Sequence, residues 1–182
     1  MARGTLFLVV GPSGAGKDTL LAGARAALEP GGAYVFPRRA ITRPAAAGGE
    51  DHEAVSPEAF AEREAEGGFF ASWRAHGLAY GLPACIPAAL ESGRHVVANV
   101  SRTILAEIAE RACPAVIVEI SAPPALLADR LAKRGREDRA DAARRLAREG
   151  PSFPDRVTIR RVVNDGTPAA GIARLLAALS DA

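Results

Sequence analysis

An α/β fold, with a central parallel sheet flanked by helices, is what this 182-residue sequence predicts. Three observations lead there. Thr5 to Val10 is an unbroken apolar run closed by Gly11-Pro12, the pattern of a strand buried on both faces. Strand-like and helix-like stretches then alternate along much of the chain, which implies βαβ units. A glycine-rich segment, residues 11 to 16, joins the first strand to the first helix. Right-handed crossovers place ligands outside the carboxyl ends of parallel strands, which is where that segment lies.

The first helix is expected from Lys17 to about Leu28, ended by Pro30-Gly31-Gly32. Further strands are expected at Ala33 to Phe36, His95 to Val100, Ala115 to Ser121 and Val157 to Val163. The helices between and after them fall at about Pro83 to Glu91, Thr103 to Arg111, Pro124 to Arg134 and Ala169 to Leu179. Two segments break this rhythm. Pro37 to Leu82 holds Pro44, an alanine and glycine stretch, a short helix near Pro57 to Glu66 and then Gly67-Gly68-Phe69-Phe70, and reads as an inserted subdomain that carries function. Gly135 to Pro151 is arginine-rich and flanked by glycines, and reads with the preceding turn of helix as a hinged lid over residues 130–151. With 48% hydrophobic residues the chain can bury one good core and little of a second, so residues 1–182 are expected to form a single domain.

Composition excludes several classes. The apolar runs are far shorter than the roughly 20 residues of a membrane helix, so no membrane partner is expected. Met1 to Leu8 carries one arginine and flows straight into the glycine-rich segment, so it does not resemble a signal peptide and the expected compartment is the cytoplasm. Cys85 and Cys113 are too few for a disulfide framework and too far apart for a CxxC pair, and are expected to be inert core thiols. The net charge is only +2, yet ten arginines lie between Arg130 and Arg161, a concentration that attracts phosphate. Glu137, Asp138, Asp141, Glu149 and Asp155 interrupt them and no stacking aromatics accompany them, which favours a nucleoside triphosphate over nucleic acid.

Gly11-Pro12-Ser13-Gly14-Ala15-Gly16-Lys17-Asp18-Thr19 supplies the GxxxxGK pattern of a phosphate-binding loop in the required strand-loop-helix setting. Glycines let successive N–H groups turn inward, and the helix N-terminus adds partial positive charge at the same place. Lys17 would reach the β- and γ-phosphates across the bond that breaks. The pattern therefore predicts a phosphotransferase that uses ATP and Mg²⁺ on a small anionic acceptor. Asp18 stands where the pattern has a Ser or Thr hydroxyl on Mg²⁺. It is a hard oxygen ligand for the metal, with Thr19 as a second oxygen nearby, or else simply a favourable charge in the first turn of a helix; both readings stay open.

With loop, insert and lid in view, the chain resembles kinases of the guanylate kinase type, and resembles more closely the ribose 1,5-bisphosphate phosphokinases of bacterial phosphonate utilisation. The resemblance runs end to end. It is carried by Ile41-Thr42-Arg43-Pro44 leading to Gly49-Glu50-Asp51-His52, by the Trp73 to Gly81 run, by Arg130 to Gly135 leading to Arg145-Leu146, and by Val163-Asn164-Asp165. It implies a P-loop nucleoside monophosphate kinase-like fold with an acceptor-binding insert over residues 37–82. It also implies ATP-dependent conversion of ribose 1,5-bisphosphate to 5-phospho-α-D-ribose 1-diphosphate, with Asn164 beside the adenine and Arg130, Arg134 and Arg145 closing over the ATP phosphates. Arg43 and Tyr80 match phosphate ligands of the guanylate kinases. The second phosphate arginine of those enzymes falls in the stretch Ala45 to Ala47, the second tyrosine is missing, and their acidic DxD is here Asn99-Val100-Ser101-Arg102. A carboxylate lost there while Asp18 appears in the loop suggests that Mg²⁺ ligation has moved.

An acceptor with two phosphates needs additional cations, and Arg38, Arg39, Arg43, Arg74, His76 and Arg102 are available, of which two or three are expected to be bystanders. The acceptor-binding set is accordingly Arg39, Arg43, Arg74, His76, Tyr80, Asn99 and Arg102. Two alternatives remain open at this level: a nucleoside monophosphate acceptor, and a non-catalytic guanylate kinase-like binding module, against which Gly16-Lys17 and the lid arginines speak. The oligomeric state is open too, a homodimer among the options.

Overall fold

In the computed structural model, residues 2–47, 50–112, 114–133, 153–154 and 157–180 are described. Strand β1 (Leu6–Val10) is buried at every position, as its unbroken apolar run requires, and its alternation divides the interior in two. Leu6, Leu8 and Val10 face a core closed by helices α3 (Ile86–Glu91) and α4 (Leu105–Arg111). Phe7 and Val9 face a second core closed by α1 (Lys17–Leu28) and α6 (Pro168–Ser180). Strands β2 (Tyr34–Val35), β7 (His95–Asn99), β8 (Ala115–Ser121) and β9 (Thr158–Val163) complete a five-stranded sheet in the order β2-β7-β1-β8-β9. Each neighbouring pair in it is parallel. Helix α5 (Pro124–Lys133) follows β8.

The five strands and the helices lie where the sequence places them, with ends shifted by no more than three residues. The insert is richer than expected. Besides α2 (Pro57–Ala65) it holds four strands, β3 (Ala40–Ile41), β4 (Glu53–Ala54), β5 (Phe69–Ala75) and β6 (Leu78–Pro83), in the order β4-β3-β6-β5. Strands β3 and β4 are two residues long and carry no readable period. Ser56 caps α2 by accepting from the Ala59 N–H, with Pro57 at the first helical position. Ala71, Trp73 and Leu82 of this small sheet are buried in the same core as Leu6 and Leu8.

The thiol of Cys85 is exposed rather than buried: it precedes α3 in a surface turn, while Ile86 and Leu90 take the buried face of that helix. Cys113 and most of the expected lid, from residue 134 on, lie outside the described residues. Among the described residues no helix is long and apolar enough to cross a membrane.

Candidate active site

The loop between β1 and α1 curls around the Lys17 ammonium, which donates to the Gly11 carbonyl at 2.7 Å and the Pro12 carbonyl at 3.1 Å. Burial pushes the Lys17 pKa down to about 8, against the raising effect of Asp18; Arg39 and Arg102 lower it further. Gly16 sits at φ +86, and a Cβ there would meet the Asn164 side-chain nitrogen at 2.5 Å, so only glycine fits. Asn164, just past β9 and buried, donates from that nitrogen to the Ala15 carbonyl at 2.8 Å. Its backbone N–H is held by the Ser121 carbonyl at the end of β8. From α5, Arg130 reaches the Gly14 carbonyl at 3.4 Å. Asn164 and Arg130 line a cleft of about 300 Å³ behind the loop, with Gly16, Thr19 and Pro168.

In front of the loop, between it and the small sheet, lies a cavity of about 380 Å³. Gly11, Pro12, Ser13, Gly14, Gly16, Lys17 and Asp18 form one wall. Arg39, Arg43, His76, Tyr80, Asn99 and Arg102 enter from the other side, so the structure brings together six of the seven residues expected to bind the acceptor. Ala15 is buried within the loop, and Thr19 opens onto neighbouring clefts rather than this cavity, whereas Ser13 and Asp18 both line it.

Arg74 is the exception and corrects the expectation. Strand alternation turns Trp73 and Ala75 toward the cavity and Arg74 to the opposite face. There Arg74 donates to both Glu64 oxygens, at 3.0 and 2.6 Å, and lies over the Phe60 ring. Hydrogen bonds from Arg74 and then Ser72 hold the Glu64 carboxyl down at about 2. Arg38 is likewise turned away, held by Asp51 at 3.0 Å and the His52 carbonyl at 2.8 Å.

The cavity is braced on each side. Trp73 and its cross-strand partner Tyr80 stack with planes 7° apart and centroids 5.4 Å apart. Arg39 lies 5.6 Å from the first ring and 5.1 Å from the second, and forks onto both Glu50 oxygens. Buried His52 touches the Glu50 carbonyl at 3.0 Å and the Arg43 carbonyl at 3.1 Å, clipping the two ends of one loop together. His76 has φ +53 and Gly77 φ +73, the pair of left-handed residues that a tight type I′ hairpin needs between β5 and β6. Arg102 follows β7 and sits 3.5 Å from Glu119, whose other oxygen accepts from Arg161 at 3.2 Å. Two donors stand out: Arg43 Nε and Arg102 Nε are buried and find no hydrogen-bond partner among the described residues. Such orphans are rare and call for an acceptor.

Glu50, Trp73 and Ser101 also line the cavity. They fall within the sequence motifs but outside the set expected to bind the acceptor. For Trp73 the signal was present, since period 2 with inward Tyr80 and its strand partner fixes the face; for Glu50, in a loop, there was none. Arg134 and Arg145 lie outside the described residues.

No protein-family model matches the chain. It is 56% identical over 179 residues to the bifunctional ribose 1,5-bisphosphokinase-thymidine phosphorylase of Azorhizobium caulinodans, covering 98% of this chain and 26% of that protein. The chain thus spans about a quarter of the length of its bifunctional relatives. It is 50% identical over 176 residues to the ribose 1,5-bisphosphate phosphokinase PhnN of Methylobacterium radiotolerans, covering 97% of each. Among solved structures it resembles the guanylate kinase of Anaplasma phagocytophilum, with a TM-score of 0.65 over 100% of this chain and 89% of that one at 17% identity, a likeness of fold.

Proposed function

Since the chain belongs to the ribose 1,5-bisphosphate phosphokinase PhnN family, we propose that it transfers the γ-phosphoryl group of ATP to ribose 1,5-bisphosphate, giving 5-phospho-α-D-ribose 1-diphosphate. A 1-phosphate oxygen attacks the γ-phosphorus, a P–O–P bond forms, the β–γ bond breaks, and ADP leaves. The nucleophile is already ionised at neutral pH, so no strong general base is required. The difficulty is the meeting of two anions while charge spreads over the transferring group.

One observation carries this reading: Arg43 and Arg102, whose Nε atoms find no partner among the described residues, line the same cavity as Lys17. That arrangement suits a phosphorylated acceptor presented to a triphosphate. Lys17 would leave its two loop carbonyls for the β- and γ-oxygens, and the loop N–H groups would cradle the same phosphates. Arg43, Arg102, His76 and Tyr80 would hold the acceptor, and Arg39 would fix its wall. Behind the loop, the cleft beside Asn164 and Arg130 has room for the nucleoside end, and Arg134 and Arg145 would complete the closure. Mg²⁺ fits the donor set: it keeps several waters and binds through one or two carboxylates plus substrate phosphates. Asp18 offers such a carboxylate beside Lys17. The ion would supply neutralisation of the phosphate oxygens.

The test offers purified protein Mg·ATP with ribose 1,5-bisphosphate or with GMP, following ADP release and the diphosphate signal by phosphorus NMR. Turnover with the sugar bisphosphate and not with GMP is expected. Turnover with GMP alone would overturn the acceptor assignment.

A further inference from the structure

Phosphate recognition calls only for hydrogen-bond donors, and Lys17, Arg43, Arg102 and His76 provide them in the front cavity. A carboxylate on the wall of the same cavity repels phosphate, so Glu50 needs a different explanation. Its side chain is 18% exposed and its carboxylate is gripped by Arg39, which is itself fixed over the Trp73 and Tyr80 rings. A carboxylate has about four acceptor sites, and a forked arginine uses two. The remaining lone pairs therefore stay available from a rigidly aimed group. At neutral pH the phosphates of a sugar bisphosphate are acceptors; the strong donors on such a molecule are its free ring hydroxyls.

We infer that Glu50 is a specificity-determining residue of the acceptor site, accepting hydrogen bonds from the ring hydroxyls of a pentose bisphosphate while Arg39 holds its carboxylate in place. The inference rests on the sugar-phosphate reading above and deepens it. It assigns the arginines to the two ends of the acceptor and the carboxylate to the middle. Asn99, at the carboxyl end of β7 and on the same wall, offers a further amide to that middle region. A site built to receive a hydroxyl rejects the analogue lacking it far more strongly than shape alone allows, because the polar group is left unpaired.

The experiment compares kcat/KM for ribose 1,5-bisphosphate and its 2-deoxy analogue in the wild type, E50Q and E50A. The wild type is expected to prefer the ribo compound by about a hundredfold or more. Both variants should lose about tenfold or more of that preference, chiefly through the ribo compound. The readout is a ratio within one preparation, so a partly unfolded variant still reports it. An equal loss with both sugars would mean that Glu50 only braces Arg39 or serves the cation, and would overturn the inference. A wild type that uses both sugars equally would overturn it as well, leaving the kinase reading intact. A wild type that turns over neither sugar would remove that reading and the inference together.

Discussion

Asn164 fastens the phosphate loop from behind: its side-chain amide donates across 2.8 Å to the Ala15 carbonyl, while its own N–H is held by Ser121 at the end of β8. The loop geometry is thereby tied to the sheet as well as to its glycines. Asn164→Ala leaves a buried carbonyl unpaired and opens space against Gly16 and Gly171, so a loss of about 1–3 kcal/mol is expected in thermal or denaturant unfolding. The KM for ATP should rise with the acceptor KM little changed. Asn164→Asp should be worse, because it aims an acceptor at an acceptor beside bound phosphate. An unaltered ATP KM in both variants would show that the loop holds its shape unaided.

The buried Lys17 ammonium predicts a pH dependence. Its folded-state pKa of about 8 lies below its ordinary 10.5, so between those values the unfolded chain binds more protons than the folded one. Stability of the ligand-free protein should therefore gain from this group as pH rises through that window, and be penalised by it below. Catalysis runs the other way. kcat/KM for ATP reports the free enzyme and should fall as pH rises past about 8, whereas kcat, measured with phosphates around the ammonium, should hold to higher pH. Lys17→Met should lower turnover by at least about a hundredfold while leaving the ligand-free fold no less stable below pH 8. A kcat/KM that is level from pH 7 to 10 would contradict this account.

The main sheet and the loop were legible in the sequence because both obey strong local rules. Leu6–Val10 is a buried strand by composition, and Lys17 closes a motif whose spacing has few other uses. The small sheet was not legible: Ala40–Ile41 pairs because β6 brings a partner edge to it, and Glu53–Ala54 adds to the other edge of that strand, both tertiary causes. Arg74 was misplaced for a different reason. Membership of the Trp73 to Gly81 run places it near the site, but the two-residue period of β5 decides which side chains meet, and it turns Arg74 away.

Arg74 and Arg43 should separate accordingly. Arg74→Ala removes a solvent-exposed pair with Glu64, which costs at most about 1 kcal/mol, and should leave the acceptor KM unchanged. It should also weaken the acid limb of stability, since the depressed Glu64 pKa contributes above pH 4.5 and is lost as pH falls toward 2. Arg43→Ala removes a guanidinium that lines the cavity and should raise the acceptor KM by about tenfold or more with kcat less affected. Equal effects of the two substitutions on KM would place the acceptor elsewhere.

His76 carries a conformational cost that a turn has no reason to bear. A left-handed residue other than glycine costs about 1–2 kcal/mol, and Asn-Gly is the pair that a type I′ hairpin prefers. Here the position before Gly77 is histidine at φ +53, and its side chain lines the cavity opposite the phosphate loop. His76→Asn should therefore stabilise the fold slightly, by about 0.5–1 kcal/mol in unfolding, while raising the acceptor KM, because the shorter amide loses the reach of the imidazole ring into the cavity. If His76→Asn were more stable and bound the acceptor equally well, the histidine would be a turn residue whose strain serves nothing in the reaction.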